Sequence, residues 1–348
     1  MKVVVTGASG NVGTSVLRAL GAEPEVTSIL GICRRVPETA FDKVVWAGAD
    51  VAESSLEPLF AGADAVIHLA WAIQPSRDED ALAATNIEGT RRVLRAAGAA
   101  GVSTVLHASS VGAYSPGPTQ GAVDETWPVD GIPTSFYSRH KAAAEAMVAE
   151  FAREHPTARV AVLRPGLIFK REAASEIGRY FAGPFLPGSI LRPGLLPLMP
   201  GVAGLRFQAV HTDDVAEAYR LALLSDAQGA FNIAADPVLG TATVAATLKA
   251  REAALPPGAV RPLAAAAWRL RLSPTPPGWL DLAVGTPVLD SSRARTELGW
   301  KPRRTSIEAL GELLDGLRRG AGGPTPPLAP RSRLRLREVL TGVGARNP

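Results

Sequence analysis

The 348 residues are 46% hydrophobic and 20% charged, and the 34 Gly and 29 Pro stay below a fifth of the chain, which excludes a low-complexity polymer and allows one large or two unequal domains with a buried core. The net charge of +4 arises between Pro324 and Pro348, where Arg331, Arg333, Arg335, Arg337 and Arg346 outweigh Glu338, so the body is neutral and no nucleic-acid partner is expected. Met1-Lys2 lead straight into valines without a signal-peptide pattern, no run approaches the roughly 20 apolar residues of a membrane span, and Cys33 is the single cysteine, so a cytoplasmic protein with no disulfide and no membrane contact is expected.

In chain order, short and nearly all-apolar runs predict strands at Lys2–Thr6, Val26–Ile32, Lys43–Trp46, Ala65–Leu69, Thr104–Ala108 and Arg159–Leu163. Between them, segments rich in Ala, Leu and Arg predict helices beginning near Asn11, Glu53, Asp78 and Ser135. Strands without polar alternation are those covered by helices on both faces. With right-handed crossovers this gives an α/β fold built on a doubly wound parallel sheet.

The alternation defines a first domain over residues 1–165 and stops after Arg164-Pro165-Gly166, and Phe181–Gly204 is dense in Pro, Gly and Leu. Residues 166–319 are therefore expected to be a smaller, mainly substrate-binding region. It is interleaved with the first, because 206–233 returns to the sheet: the pattern resumes around Phe207–His211, Asp213–Leu224 reads as a helix and Gly229–Ile233 as a short strand. Helices are predicted near Thr241–Ala254, Pro262–Leu272, Ser291–Leu298 and Ser306–Arg319, and the Pro/Arg-rich tail 320–348 reads as a linker and a solvated arm.

Directly after the first strand stands Thr6-Gly7-Ala8-Ser9-Gly10-Asn11-Val12-Gly13, opening a helix. A strand that feeds a helix through a glycine turn aims backbone N–H groups and the positive helix end at a diphosphate, which predicts a dinucleotide-binding Rossmann fold with Gly7, Ser9, Gly10, Asn11, Val12 and Gly13 at the cofactor. The second strand ends in Cys33-Arg34-Arg35, where an NAD-selective site would place a carboxylate on the ribose. Guanidinium groups pair with a 2′-phosphate instead, so NADP is expected, with NAD the alternative.

Tyr137-Ser138-Arg139-His140-Lys141 opens another helix, which puts Tyr137 and Lys141 one turn apart on one face. A phenol with its ordinary pKa near 10 is a poor acid or base at neutral pH, and a neighbouring ammonium is expected to lower it. Val105–Ser110 ends a strand in hydroxyls, at the edge where open α/β sheets bind ligands.

From Lys2 to about Leu310 these motifs resemble the extended short-chain dehydrogenase/reductase family, also called the NAD-dependent epimerase/dehydratase family. Ser109-Ser110-Val111-Gly112-Ala113-Tyr114 is similar to its Ser-Ser-x-x-x-Tyr segment, and the resemblance implies a catalytic Ser110, Tyr137 and Lys141, the last two also touching the cofactor. It likewise implies cofactor contacts at Cys33, Arg34, Arg35, Asp50, Val51, His68, Leu69, Ala70, Asn86 and Pro165. Further similar segments are Val210–Ala216 and Leu298-Gly299-Trp300-Lys301-Pro302. A homodimer is compatible with the resemblance.

The departures bear on the substrate. Where the family's dehydratases carry an acidic pair after the serine, this chain has Val111 and Gly112, and Leu167 and Phe207 stand where nucleotide-sugar members carry an Asn and an Arg. Lys170, Arg171 or Arg206 could replace the missing diphosphate contacts. The expected activity is hydride transfer to or from a carbonyl or secondary alcohol of a small molecule. A nucleotide-sugar epimerase is the second reading, and a non-catalytic cofactor-sensing binding protein the third. No metal is expected: Asp213 or Asp214 reads as a helix cap beside His211. His107 and His140 read as structural or exposed, and Trp71, Trp127, Phe136, Phe181 and Phe185 as candidate pocket walls.

Overall fold

Seven parallel strands carry the molecule in this computed structural model, which describes residues 1–330 apart from 75, 183–190 and 274. They are β1 (Lys2–Thr6), β2 (Ser28–Cys33), β3 (Val44–Gly48), β4 (Ala65–His68), β5 (Thr104–Ala108), β6 (Arg159–Pro165) and β7 (Gly229–Ile233), in the spatial order β7-β6-β5-β4-β1-β2-β3. The order reverses at β1, between β2 and β4, and Thr6 pairs with Ile32 on one side and His68 on the other. Loops leave this point in opposite directions, which opens a crevice at the carboxyl ends of β1 and β4.

Each face of the sheet has its own apolar core. On one side α1 (Asn11–Gly21) buries Val16, Leu17 and Leu20 against α4 (Thr212–Leu224), which contributes Val215, Ala218, Tyr219 and Ala222. On the other, α2 (Gly89–Ala99) and α3 (Phe136–Glu154) bury Val93, Leu94, Ala96, Val148 and Phe151. This two-sided coverage is why the strands lack polar alternation. Among the described residues no helix is long and apolar enough to cross a membrane.

Outside the sheet the boundaries depart from the sequence pattern. Only Gly229–Ile233 of the 206–233 segment joins the sheet as a strand. Ala209–His211 pairs instead with Leu167–Phe169, and Arg206–Phe207 with Leu239–Gly240. The break falls at Gln208, whose amide is committed to both backbone groups of Leu289. The helix expected from Glu53 is a single turn, Glu57–Phe60, because Asp50 first folds its carboxylate onto the Ala52 N–H. The Thr241–Ala254 helix ends at Thr247, where Lys249 takes a positive φ of 53° and the chain becomes the strand Arg251–Leu255. Strand β2 begins at Ser28, two residues later than expected. The last long helix, α5 (Ser306–Arg319), matches its predicted span, held by a Thr305/Glu308 capping box and a left-handed Gly320.

Candidate active site

The glycine turn separates two reasons for having no side chain. At Gly7 the φ is +69°, and a Cβ would lie 2.6 Å from the Ala70 nitrogen; at Gly13 it would lie 2.4 Å from the Gly7 carbonyl oxygen. Those two glycines are required by the packing of the protein on itself. Gly10 meets one protein atom within 4 Å, at 3.3 Å, and faces a cavity of about 700 Å³. A Cβ there would press only on the Gly7 carbonyl oxygen, and the side chain beyond it would enter the cavity. Gly10 is also the N-cap of α1, with no side-chain cap and no acidic residue in the first turn. The helix therefore points uncapped N–H groups into the cavity, which is the arrangement that accepts a phosphate. A dinucleotide diphosphate fits this donor set.

At the other end of the same cavity, Ser110 follows β5 and accepts from the Gly112 N–H at 3.0 Å. Ser135 caps α3, bringing Tyr137 and Lys141 to its first turns. Gly112 lets the phenol ring close in, since a Cβ there would stand 2.8 Å from Tyr137 Cε1. Behind them Ser109 donates to Glu145, Glu145 holds Arg164 through both carboxylate oxygens, and Arg164 donates to the Tyr114 hydroxyl at 2.9 Å. This buried network anchors the end of β5 from below.

The electrostatics correct one expectation. Lys141 Nζ donates to the Ala108 carbonyl at 2.7 Å and sits 3.4 Å from the centre of the Trp71 ring, with the Tyr137 ring centre 6.0 Å away. Burial sets the phenol's behaviour, not the ammonium: Tyr137 is pushed up to about 12, with only the Ser110 hydroxyl drawing it down. Burial also lowers Lys141 to about 7, against the pull of Glu145.

Of the expected site residues, Gly7, Ser9, Gly10, Asn11, Val12, Gly13, Cys33, Arg34, Arg35, Asp50, Val51, Leu69, Ala70, Ser110, Tyr137, Lys141 and Pro165 line this one cavity. His68 and Asn86 do not. The His68 ring is buried between Thr6 Oγ1 at 2.7 Å and Thr90 Oγ1 at 3.0 Å, and burial lowers its pKa to about 3. Asn86 closes a pair of hydrogen bonds on the Ala72 backbone, so it shapes the cavity wall from outside. Lys170 turns away, donating to the Asn11 carbonyl and Thr14 Oγ1 under α1, while Arg171 lies 3.6 Å from Asp315 and Arg206 donates to the Thr119 carbonyl. His211, not Asp213 or Asp214, caps α4; Asp214 instead accepts from the Arg303 and Arg304 N–H groups. Trp71 and Phe181 line the cavity; Trp127 packs with Tyr114 and Val123, and Phe136 backs Trp279. Phe185 lies outside the described residues.

Three contributions carried no local signal. Trp279, from the helix Gly278–Gly285, stacks 5.2 Å from the Tyr137 ring. Glu176 and Tyr180 enter the wall near Arg34, and burial raises the Glu176 carboxyl to about 7. The start of the supposed tail is not a free linker: Thr325 is fully buried and donates to the Ser9 carbonyl of the glycine turn at 2.7 Å, Pro327 lines the cavity, and Arg179 donates to the Ala329 carbonyl at 3.0 Å. The arginines from Arg331 onward lie outside the described residues.

The family described as the NAD dependent epimerase/dehydratase family matches residues 3–234. A 3-diazoavenalumate denitrifying reductase of a Streptomyces species is 32% identical over 322 residues, covering 88% of this chain and 97% of the reductase. An uncharacterized protein of Mycobacterium tuberculosis is 26% identical over 89% of this chain, which spans 29% of that protein's length. The solved UDP-glucose 4-epimerase of Thermotoga maritima superposes with a TM-score of 0.70 at 21% identity, covering 92% of this chain and 99% of its own. At that identity the likeness shows the shared fold.

Proposed function

Because the chain belongs to the NAD dependent epimerase/dehydratase family, we propose that it is an NAD(P)-dependent oxidoreductase that interconverts a carbonyl and a secondary or primary alcohol. The observation that carries this reading is the Tyr137 phenol beside Ser110 in a cavity continuous with the uncapped glycine turn. In this reading residues 1–165 hold the cofactor and residues 166–319 supply much of the substrate wall. A bound nicotinamide would supply or accept the hydride. The rest is assigned to the chain's own groups.

Ser110 is assigned to hold the substrate oxygen, and Tyr137 to exchange a proton with it. The phenol is protonated at neutral pH, the state needed to donate a proton when a carbonyl becomes an alcohol, and burial alone makes it a weaker acid than a free phenol. The phenolate left behind is stabilised by the Ser110 hydroxyl, while Lys141 Nζ, held on the Ala108 carbonyl, stands 6.0 Å from the ring centre. Tyr137→Phe is expected to leave dinucleotide affinity within a few-fold while reducing NAD(P)H-dependent carbonyl turnover by a factor of order 10² or more. Full activity in that variant would overturn the assignment.

NADP(H) is proposed over NAD(H). Arg34 and Arg35 are exposed on the cavity rim and have no ion pair among the described residues, while Cys33 is turned inward to the Arg35 carbonyl. One guanidinium–phosphate contact contributes roughly 1.5–3 kcal/mol, about ten- to a hundredfold in affinity. Titration with both cofactors checks this, and Arg34→Ala is expected to erase most of the preference. Equal affinities in the native protein would make these arginines surface charges.

A further inference from the structure

The half of the cavity around Tyr137 is walled by rings. Trp71 meets the Tyr137 ring edge-on with centroids 6.2 Å apart at 79°, Trp279 lies 5.2 Å from it at 35°, and Phe181 stands edge-on to Trp279 at 4.9 Å. Three aromatic side chains from three distant parts of the chain thus border the approach to the phenol, and Leu282 and Phe207 continue the wall.

Charge is distributed unevenly over the same cavity. Among the described residues its ionisable walls other than Tyr137 are Cys33, Arg34, Arg35, Asp50, Lys141, Glu176 and Tyr180. Arg34, Arg35 and Asp50 follow β2 and β3, and three strand spacings, roughly 14 Å, separate β2 from β5, where Ser110 lies. Lys141 is committed to Ala108 and the Trp71 face. Lys170, Arg171 and Arg206 are engaged elsewhere, as described above. No free cation therefore faces the catalytic half among the described residues, and an anion placed there would be desolvated without a partner. The Gln208 amide spends one N–H and its carbonyl oxygen on the Leu289 backbone.

Resting on the oxidoreductase reading, we infer that the substrate is an uncharged aryl-bearing carbonyl compound, or its alcohol, whose ring lies against Trp279 and Phe181 with its oxygen between Ser110 and Tyr137. A nucleotide-linked sugar would bring a diphosphate into the half of the cavity where, among the described residues, no free cation stands. A free aryl carbonyl brings only surface that the rings can cover, and aromatic pairs add to plain area burial.

Two nine-carbon aldehydes, 3-phenylpropanal and nonanal, isolate the effect of the ring. With NADPH, kcat/KM is expected to be at least tenfold higher for 3-phenylpropanal. In Trp279→Leu, and independently in Phe181→Leu, that ratio should fall toward one, chiefly through KM. A ratio near one in the native enzyme, or a ratio that both variants leave unchanged, overturns the substrate class and leaves the oxidoreductase reading standing. Calorimetry on the NADP-loaded protein covers the opposite failure. Binding of 3-phenylpropanol that Trp279→Leu weakens tenfold, with neither aldehyde reduced, supports the substrate class and counts against the reaction. Absence of such binding, or UDP binding tighter than 3-phenylpropanol, overturns the substrate class.

Discussion

Glu176 shows at the scale of one residue how environment overrides composition. Its side chain meets the cavity, yet surrounding protein desolvates it enough to raise the carboxyl from 4.5 to about 7; Arg179, the Tyr180 hydroxyl and Lys170 draw it partly back. The folded protein therefore holds a proton there that the unfolded chain has lost between about pH 4.5 and 7. Stability contributed by this group is present at low pH and declines as pH rises through that window. Glu176→Gln is expected to flatten the fall, leaving the ligand-free variant more stable than the native protein at pH 7.5 by on the order of 1–2 kcal/mol, readable from urea melts at pH 5 and 7.5. An unchanged pH dependence would mean that the carboxyl is solvated. Lys141 has the opposite sign: its pKa is lowered from 10.5 to about 7, so the unfolded state binds the extra proton and stability rises with pH above 7. Tyr-x-x-x-Lys spacing was legible from the chain. The upward shift of Tyr137 was not, because it comes from burial of the phenol by segments far apart in the chain.

Among the elements, the segment from Gly320 to Pro330 shows how tertiary contacts recruit a stretch whose composition looks like a linker. Its Gly323 N–H donates to the Leu328 carbonyl at 2.7 Å, its Ala321 carbonyl accepts from the Ser175 N–H at 3.1 Å, and Leu328 is buried. The segment ties the glycine turn to the short helix Ala174–Ile177, so its order and the shape of the dinucleotide cavity are coupled. Thr325→Val keeps the volume and removes the donor to the Ser9 carbonyl. It is expected to weaken dinucleotide binding about three- to tenfold, equivalent to roughly 0.7–1.4 kcal/mol, with little change in kcat at saturating cofactor. Unchanged affinity would reduce the segment to a packing element. By contrast, the start of α3 was readable at Ser135 and α5 at Ser306–Arg319, because caps are local chemistry.

For the molecule as a whole, Trp300 links the end of the chain to the sheet. It is fully buried in the core beside α1 and α4, and its indole N–H donates to the Asp214 carbonyl at 2.8 Å. Trp300→Ala is expected to destabilise the whole fold by about 3–5 kcal/mol in a denaturant melt, and a loss under 1 kcal/mol would show that the C-terminal region is a separate unit. The sequence by itself determined the parallel sheet and the glycine turn after its first strand, which rest on hydrophobic period and glycine spacing written within a few residues of one another. Ser110, Tyr137 and Lys141 came forward as a set only through resemblance to a family. Tertiary structure alone decided that His68 and Asn86 stand outside the cavity, that Trp279 and Glu176 enter its wall, and that Thr325 reaches the glycine turn. Burial and electrostatic shift depend on atoms contributed by segments far apart in the chain, and no local pattern records which of those segments will meet.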